Sequence, residues 1–167
     1  MNTALQHLKE ALVSAPILAN PNFSLPFIIE TDSSDLAVGA VLVQIQGGEK
    51  KCIAYFSNKL SNTQRKYSAT ERECLAVLLS IEHFRHFIEG HRFVIQTDAM
   101  SLTFLNTMSI ESKSPRIARW ALKLSKYDID WQYKKGSENI PADALSRSVY
   151  MVQSALPDPY IEGLKNK

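Results

Sequence analysis

The sequence predicts an α/β fold of the mixed α+β kind: a five-stranded sheet with helices on both faces. Three observations predict it. Three short apolar runs cluster between residues 27 and 57, and Gly47-Gly48 separates the second from the third, as in an antiparallel meander. A long amphipathic stretch then leads to a fourth run, the spacing of a helix-connected crossover. The first and fourth runs, Phe27–Asp32 and Phe93–Asp98, end in the same dipeptide, Thr-Asp.

Taken in order, residues 1–25 read as a lead-in segment. Leu5, Leu8, Leu12 and Val13 fall at helical spacing, and Pro16, Pro21 and Pro26 interrupt the chain beyond them. The main domain spans 26–148. Phe27–Asp32 is its first strand, and Ala37–Gln44, almost continuously apolar, is a strand buried on both faces. Cys52–Ser57 returns after the Gly-Gly turn. A helix covers Thr70 to Glu89, with Cys74, Val77, Leu78, Ile81, Phe84 and Ile88 as its apolar stripe and Gly90 as its stop. Strand four is Arg92–Asp98, and helices occur next at Leu102–Asn106 and Pro115–Lys126. Tyr127–Tyr133 alternates, turning Ile129, Trp131 and Tyr133 toward the core. A last helix covers Ile140–Arg147, with Pro141 in its first turn. Residues 149–167 read as a linker or tail. The order is βββαβααβα.

The 167 residues suit one domain plus an extra segment, and 45% hydrophobic with 22% charged residues is ordinary for a globular chain. A net charge of +2 says little about partners. No apolar run approaches the ~20 residues of a membrane span, and no signal peptide opens the chain, so an intracellular, non-secreted setting without a membrane is expected. Cys52 and Cys74 lack metal-ligand spacing and read as buried free thiols.

An apolar run that stops at an acid delivers a carboxylate to the end of a strand. In this order the two Thr-Asp strands can be neighbours. Carboxylates that close repel one another, and a divalent cation with a preference for oxygen ligands, such as Mg2+, resolves the repulsion. The bland alternative is an Asp that caps the next turn. Two more acids stand at helix starts. Ser68 with Glu71, or Thr70 with Glu73, each fits a capping box, and spacing leaves open which Glu faces inward. Asp143 lies in the first turn of the last helix, where the helix dipole favours an acid in any case.

These residues carry a resemblance. The segment Thr31-Asp32-Ser33-Ser34-Asp35-Leu36-Ala37-Val38-Gly39-Ala40-Val41-Leu42 resembles the first motif of the ribonuclease H domain of gypsy-type LTR retrotransposon reverse transcriptases. Tyr67-Ser68-Ala69-Thr70-Glu71-Arg72-Glu73-Cys74-Leu75-Ala76 is similar to the second motif, Thr97-Asp98 to the third, and Ala142-Asp143-Ala144-Leu145-Ser146-Arg147 to the fourth. The likeness covers about residues 24–148, and Leu8–Phe27 resembles the end of the polymerase connection that precedes such a domain.

The resemblance implies a ribonuclease H-like fold, a catalytic and metal-binding quartet of Asp32, Glu73, Asp98 and Asp143, and Glu71 left to the capping box. It implies two Mg2+ ions (Mn2+ as substitute) roughly 4 Å apart, with Asp32 bridging both, Asp98 and Glu73 completing one site and Asp143 the other. The expected reaction is endonucleolytic hydrolysis of the RNA strand of an RNA–DNA hybrid, leaving 5′-phosphate and 3′-hydroxyl ends. The expected partners are that hybrid and the polymerase part of the same polyprotein, within cytoplasmic particles. Relatives carry a His after the third-motif Asp or in the loop before the last one. Here Ala99-Met100 and Lys134-Lys135-Gly136-Ser137-Glu138 stand in those places, which predicts slower turnover. Two alternatives remain: a degenerate module that positions nucleic acid for an attached polymerase, and a DNA-acting enzyme of the same superfamily.

The hybrid must also be held. From Ser112 to Tyr127 there are Lys113, Arg116, Arg119, Lys123 and Lys126 and no acid. Arg116, Arg119, Lys123 and Lys126 form one basic helical stripe, and Lys134 and Lys135 could extend it, as a track for phosphates. A solvated face with snorkelling side chains is the plainer reading. His83 and His86 lack companion ligands, and Trp131 and Tyr133 read as core.

Overall fold

A computed structural model of the chain describes residues 18–105 and 114–147. The expected helix before residue 18, the tail beyond 148 and Lys113 lie outside those residues. The strands are β1 (Phe27–Ser33), β2 (Ala37–Gln46), β3 (Glu49–Lys59), β4 (Phe93–Thr97) and β5 (Ile129–Tyr133). The helices are α1 (Ala69–Ile88), α2 (Met100–Thr103), α3 (Pro115–Leu124) and α4 (Ile140–Arg147). The sheet order is β3-β2-β1-β4-β5. Strands β1, β2 and β3 pair antiparallel, whereas β4 runs parallel to β1 and β5 parallel to β4. This is the expected mixed five-stranded sheet.

Strand alternation divides the core into two layers. Phe27 and Ile29 of β1, Leu42 of β2 and Phe93 and Ile95 of β4 pack against Ile81, Phe84 and Ile88 of α1. On the opposite face Val41 and Val43 meet Ala142 and the half-buried Leu145 of α4. Strand β2 is covered on both sides, so Ala37 through Gln44 are all buried, as its unbroken apolar run predicts. Helix α1 starts at a Ser68–Glu71 capping box, and Gly90 succeeds it with a positive φ of 77°.

Several elements differ from expectation for local reasons. Strand β3 runs from Glu49 to Lys59, beyond the expected Cys52–Ser57, because its polar ends still complete the ladder with β2. It is an edge strand, so hydropathy does not mark its limits. Cys52 lies on it and is only half-buried, whereas Cys74 inside α1 is fully buried. Helix α2 is one short turn starting at Met100 rather than at Leu102. Tyr133, expected in the core, is 49% exposed at the end of edge strand β5, while Trp131 packs against the core. A 3-10 turn at Gly136–Glu138 occupies what reads as plain loop.

Residues before β1 are stitched to the sheet. The Ala19 N–H donates to the Cys52 carbonyl at 2.8 Å. The buried Gln44 amide donates to the carbonyls of Asn22 (2.8 Å) and Leu25 (3.1 Å) and accepts from the Asn22 N–H (2.9 Å). Among the described residues no helix is long and apolar enough to cross a membrane.

A candidate metal centre at the end of the sheet

Strand β4 aligns with β1 so that Glu30 stands opposite Gln96. Carried two residues further, that register sets Asp32 beside Asp98. Glu73 reaches the same point from the first turns of α1, around the end of the sheet. One carboxylate oxygen from each of Asp32, Glu73 and Asp98 lies within 4.8 Å of the other two. Three of the four expected acids therefore converge.

Each of the two most enclosed carboxylates has its own support. Glu73 Oε1 accepts from the Ser33 N–H at 3.2 Å and from the Ser33 hydroxyl. Its other oxygen, Oε2, is buried and has no hydrogen-bond partner. Asp32 Oδ2 accepts from the Ser146 hydroxyl at 2.6 Å. Burial drives the Glu73 carboxyl up to about 8, and the charges of Asp32 and Asp98 add to the rise while the Ser33 bond opposes it. Burial also raises Asp32, Asp143 and Asp98 raise it further, and the Ser146 bond and the more distant Arg147 charge pull it down.

Asp143 approaches differently. Helix α4 lies so close to β2 that a Cβ on Gly39 would come within 2.5 Å of the Ala142 carbonyl and 2.6 Å of the Ser146 N–H. Gly39 pairs with Asp32 across the ladder, so the missing side chain is what lets α4 settle over Asp32. The helix is pinned there by the Ser34 hydroxyl on the Ser146 carbonyl (2.7 Å) and the Ser57 hydroxyl on the Leu145 carbonyl (3.1 Å). Asp143 itself stands outside the trio. Its side chain is 40% exposed and accepts from Arg147, one turn on.

The chemistry of the donors suits a hard divalent cation. The trio offers oxygen alone, and it includes a buried carboxylate oxygen with no proton donor to satisfy it. Without a cation, the cluster crowds carboxyls where water is scarce, and the Glu73 carboxyl is pushed up to about 8. The expected ligands Asp32, Glu73 and Asp98 fit that role together, with Asp143 near enough to act on Asp32.

The six basic residues expected to touch nucleic acid divide into two groups. Arg119, Lys123 and Lys126 on or just beyond α3 are exposed, as is Lys135. Arg116 is engaged inside the protein: it donates to Glu71 at 2.8 Å and lies over the Tyr67 ring at 3.9 Å. Lys134 donates to Glu30 at 2.7 Å and is only 15% exposed. His83 and His86 are exposed and lie against the Phe56 and Phe87 rings.

Sequence reasoning missed Ser33 and Ser146, which hold the carboxylates, Gly39, which admits α4, and also Glu30 and Asn139. One signal was available for Glu30: an acid two residues before Asp32 on a strand shares its face.

The comparisons agree with this architecture. The family model described as "RNase H-like domain found in reverse transcriptase" matches residues 22–127. The Transposon Tf2-3 polyprotein of Schizosaccharomyces pombe (strain 972) is 41% identical over 149 residues, covering 87% of this chain but 11% of that protein. The chain thus spans about a tenth of the length of that relative. Among solved structures, the foamy viral protease–reverse transcriptase in complex with RNA/DNA hybrid aligns with a TM-score of 0.61 at 20% identity, over 81% of this chain and 19% of that one. RNase H1 from the halophilic archaeon Halobacterium salinarum aligns with a TM-score of 0.57 at 14% identity, over 77% of this chain and 98% of that one. With its mixed sheet and the acids at the sheet's end, the chain belongs to the RNase H-like domain family found in reverse transcriptases.

Proposed function

We propose that this chain is a ribonuclease H that hydrolyses the RNA strand of RNA–DNA hybrids, leaving 5′-phosphate and 3′-hydroxyl ends. The observation that carries the proposal is the convergence of Asp32, Glu73 and Asp98 around a buried, unpartnered carboxylate oxygen. A stability-driven fold has no reason to assemble three acids this way. Residues 26–148 form the catalytic unit, and a polymerase in the same polyprotein supplies its substrate.

Asp32, Glu73 and Asp98 would hold Mg2+, and Asp143 would complete a second site. Cations held there would supply charge neutralisation at the scissile phosphate and a more acidic attacking water. The protein's own residues do the positioning. Ser33 fixes Glu73, and Ser146 fixes Asp32. Burial pushes the Glu73 carboxyl up to about 8, so binding a cation there would require it to release a proton. Arg119, Lys123, Lys126 and Lys135 present charge to the hybrid backbone. Contacts to 2′-hydroxyls would select the RNA strand.

The second reading, a module that only positions nucleic acid, draws on Asp143, which is paired with Arg147 rather than gathered with the trio. The test is cleavage of a 5′-labelled RNA annealed to DNA, with Mg2+, by wild type, Asp98→Asn and Glu73→Gln. Cleavage by wild type alone supports the nuclease. An intact hybrid with wild type, or a variant that cuts as fast, overturns it.

A further inference from the structure

Glu30 is a buried acid that the proposed chemistry does not use. It is 1% exposed, on the same face of β1 as Asp32 and two residues before it. Its Oε1 accepts from two lysines: Lys50 of edge strand β3, and Lys134 in the loop between β5 and α4. Burying a carboxylate is costly unless it is paired. One lysine would meet the charge, so the second contact needs another account.

The loop that carries Lys134 supplies it. The Lys134 N–H donates to the Thr97 carbonyl at 2.9 Å, one residue before Asp98. The Asn139 side-chain amide donates to the Thr31 carbonyl at 2.8 Å, one residue before Asp32. Between those anchors Gly136 lies against Asp98, and a Cβ there would sit 3.0 Å from Asp98 Oδ2. Residues 134–139 thus strap together the two Thr-Asp strand ends, with Gly136 against Asp98.

We propose that Glu30 and Lys134 are positioning residues, whose buried ion pair fixes how the 134–139 strap bears on Asp98. The inference rests on the reading that Asp98 belongs to a nuclease site. The ammonium of Lys134 is turned inward to the sheet, so its work is on the strap and not on a phosphate. Lys50 provides the internal control. It contacts the same carboxylate oxygen from edge strand β3, and among the described residues its ion pair is to Glu30 and not to residues 134–139.

The experiment compares Lys134→Met, Lys134→Arg, Lys50→Met and Glu30→Gln in the full 167-residue chain. Lys134→Met and Glu30→Gln should lower kcat on a hybrid about 10- to 100-fold, as loss of an orienting partner does, with KM unchanged. Lys134→Arg should restore most of the rate, and Lys50→Met should leave it unchanged. Amide 1H–15N spectra of the metal-free protein give a readout apart from activity. Lys134→Met should move the Gly136 and Asp98 resonances, and Lys50→Met should leave them in place. Equal effects of the two methionine variants would reduce the pair to ordinary stabilisation and overturn the proposal. So would a raised KM at constant kcat, which marks Lys134 as a phosphate contact, or unmoved Gly136 and Asp98 resonances. A wild type that cleaves nothing defeats the nuclease reading instead, and the spectra still decide the role of the strap.

Discussion

Helices α1 and α4 each bring one acid to the end of the sheet, from opposite faces and by opposite means. Helix α1 is twenty residues long, boxed at its start and packed along most of its length. It delivers Glu73 buried, braced by Ser33 and with one oxygen unsatisfied. Helix α4 is eight residues long and rests on β2 through the gap at Gly39. It delivers Asp143 half in solvent, paired with Arg147. The lesson is a division of labour. The long helix holds a carboxyl where its charged form is unfavourable, and the short one holds a carboxylate near it that solvent can still reach.

The sharpest way to break this comparison is at Glu73. Glu73→Gln should lower hybrid cleavage at least about 100-fold, and Asp98→Asn should do the same. The Gln variant should also flatten the pH dependence of metal-free stability. The Glu73 carboxyl rises from 4.5 to about 8 on folding, so the folded state keeps a proton that the unfolded chain has released. That stabilising contribution is complete below about 4.5 and is lost as pH rises through about 8. A melting series across that range should fall for wild type and fall less for Glu73→Gln. Equal slopes would mean that Glu73 is not held protonated.

The α4 side is tested at Gly39. Gly39→Val should cost about 1–3 kcal/mol of stability, because α4 has to lift from β2. Cleavage should fall further than unfolding explains, since both Asp143 and the Ser146 support of Asp32 ride on that helix. Chemical denaturation beside kcat separates the two effects.

Replacing Arg119, Lys123 and Lys126 together with Gln addresses the exposed surface of α3. Hybrid affinity should weaken, and the slope of log affinity against log salt should become shallower by roughly 2 to 3, close to one per charge. An unchanged slope would return these residues to the role of a solvated face. The smallest expected effect is that of Ser146→Ala, a loss of about 1 kcal/mol for one hydrogen bond. With that bond gone the Asp32 carboxyl rises further, so the acid limb of the cleavage profile should move to higher pH.

Much of this site is legible in the sequence because it is built on strong periodic signals. The two Thr-Asp runs mark strand ends, and the unbroken apolar run of β2 marks the centre of the sheet. The choice between Glu71 and Glu73 was not legible from spacing, because both capping boxes fit. The fold decides it: the Ser68 N–H donates to the Glu71 carboxylate, and the Ser33 N–H donates to that of Glu73. The strap was illegible for another reason. Its anchors are backbone carbonyls of Thr31 and Thr97, and a sequence carries no mark of which carbonyl a distant Asn or Lys will meet. The edges were misjudged at Tyr133 and along β3, where a strand has a partner on one side only and polarity stops tracking pairing. The basic stripe is one unit by spacing but not by environment, since Arg116 faces Glu71 while Arg119, Lys123 and Lys126 face solvent.

The Gln44 side chain has a practical consequence for how the domain can be cut. Its buried amide donates to the carbonyls of Asn22 and Leu25, and its oxygen accepts from the Asn22 N–H and from the Gln46 side chain. A protein trimmed to begin at residue 26 would keep the Gln46 bond but leave the two amide donors enclosed and unmet, at about 1–3 kcal/mol for each stranded group. By the same token, the backbone N–H of Asn22 should exchange with solvent at the slow pace of the central strands rather than at that of a loose end. Asn22 and Leu25 should therefore melt with the sheet, although their sequence looks like nothing more than approach.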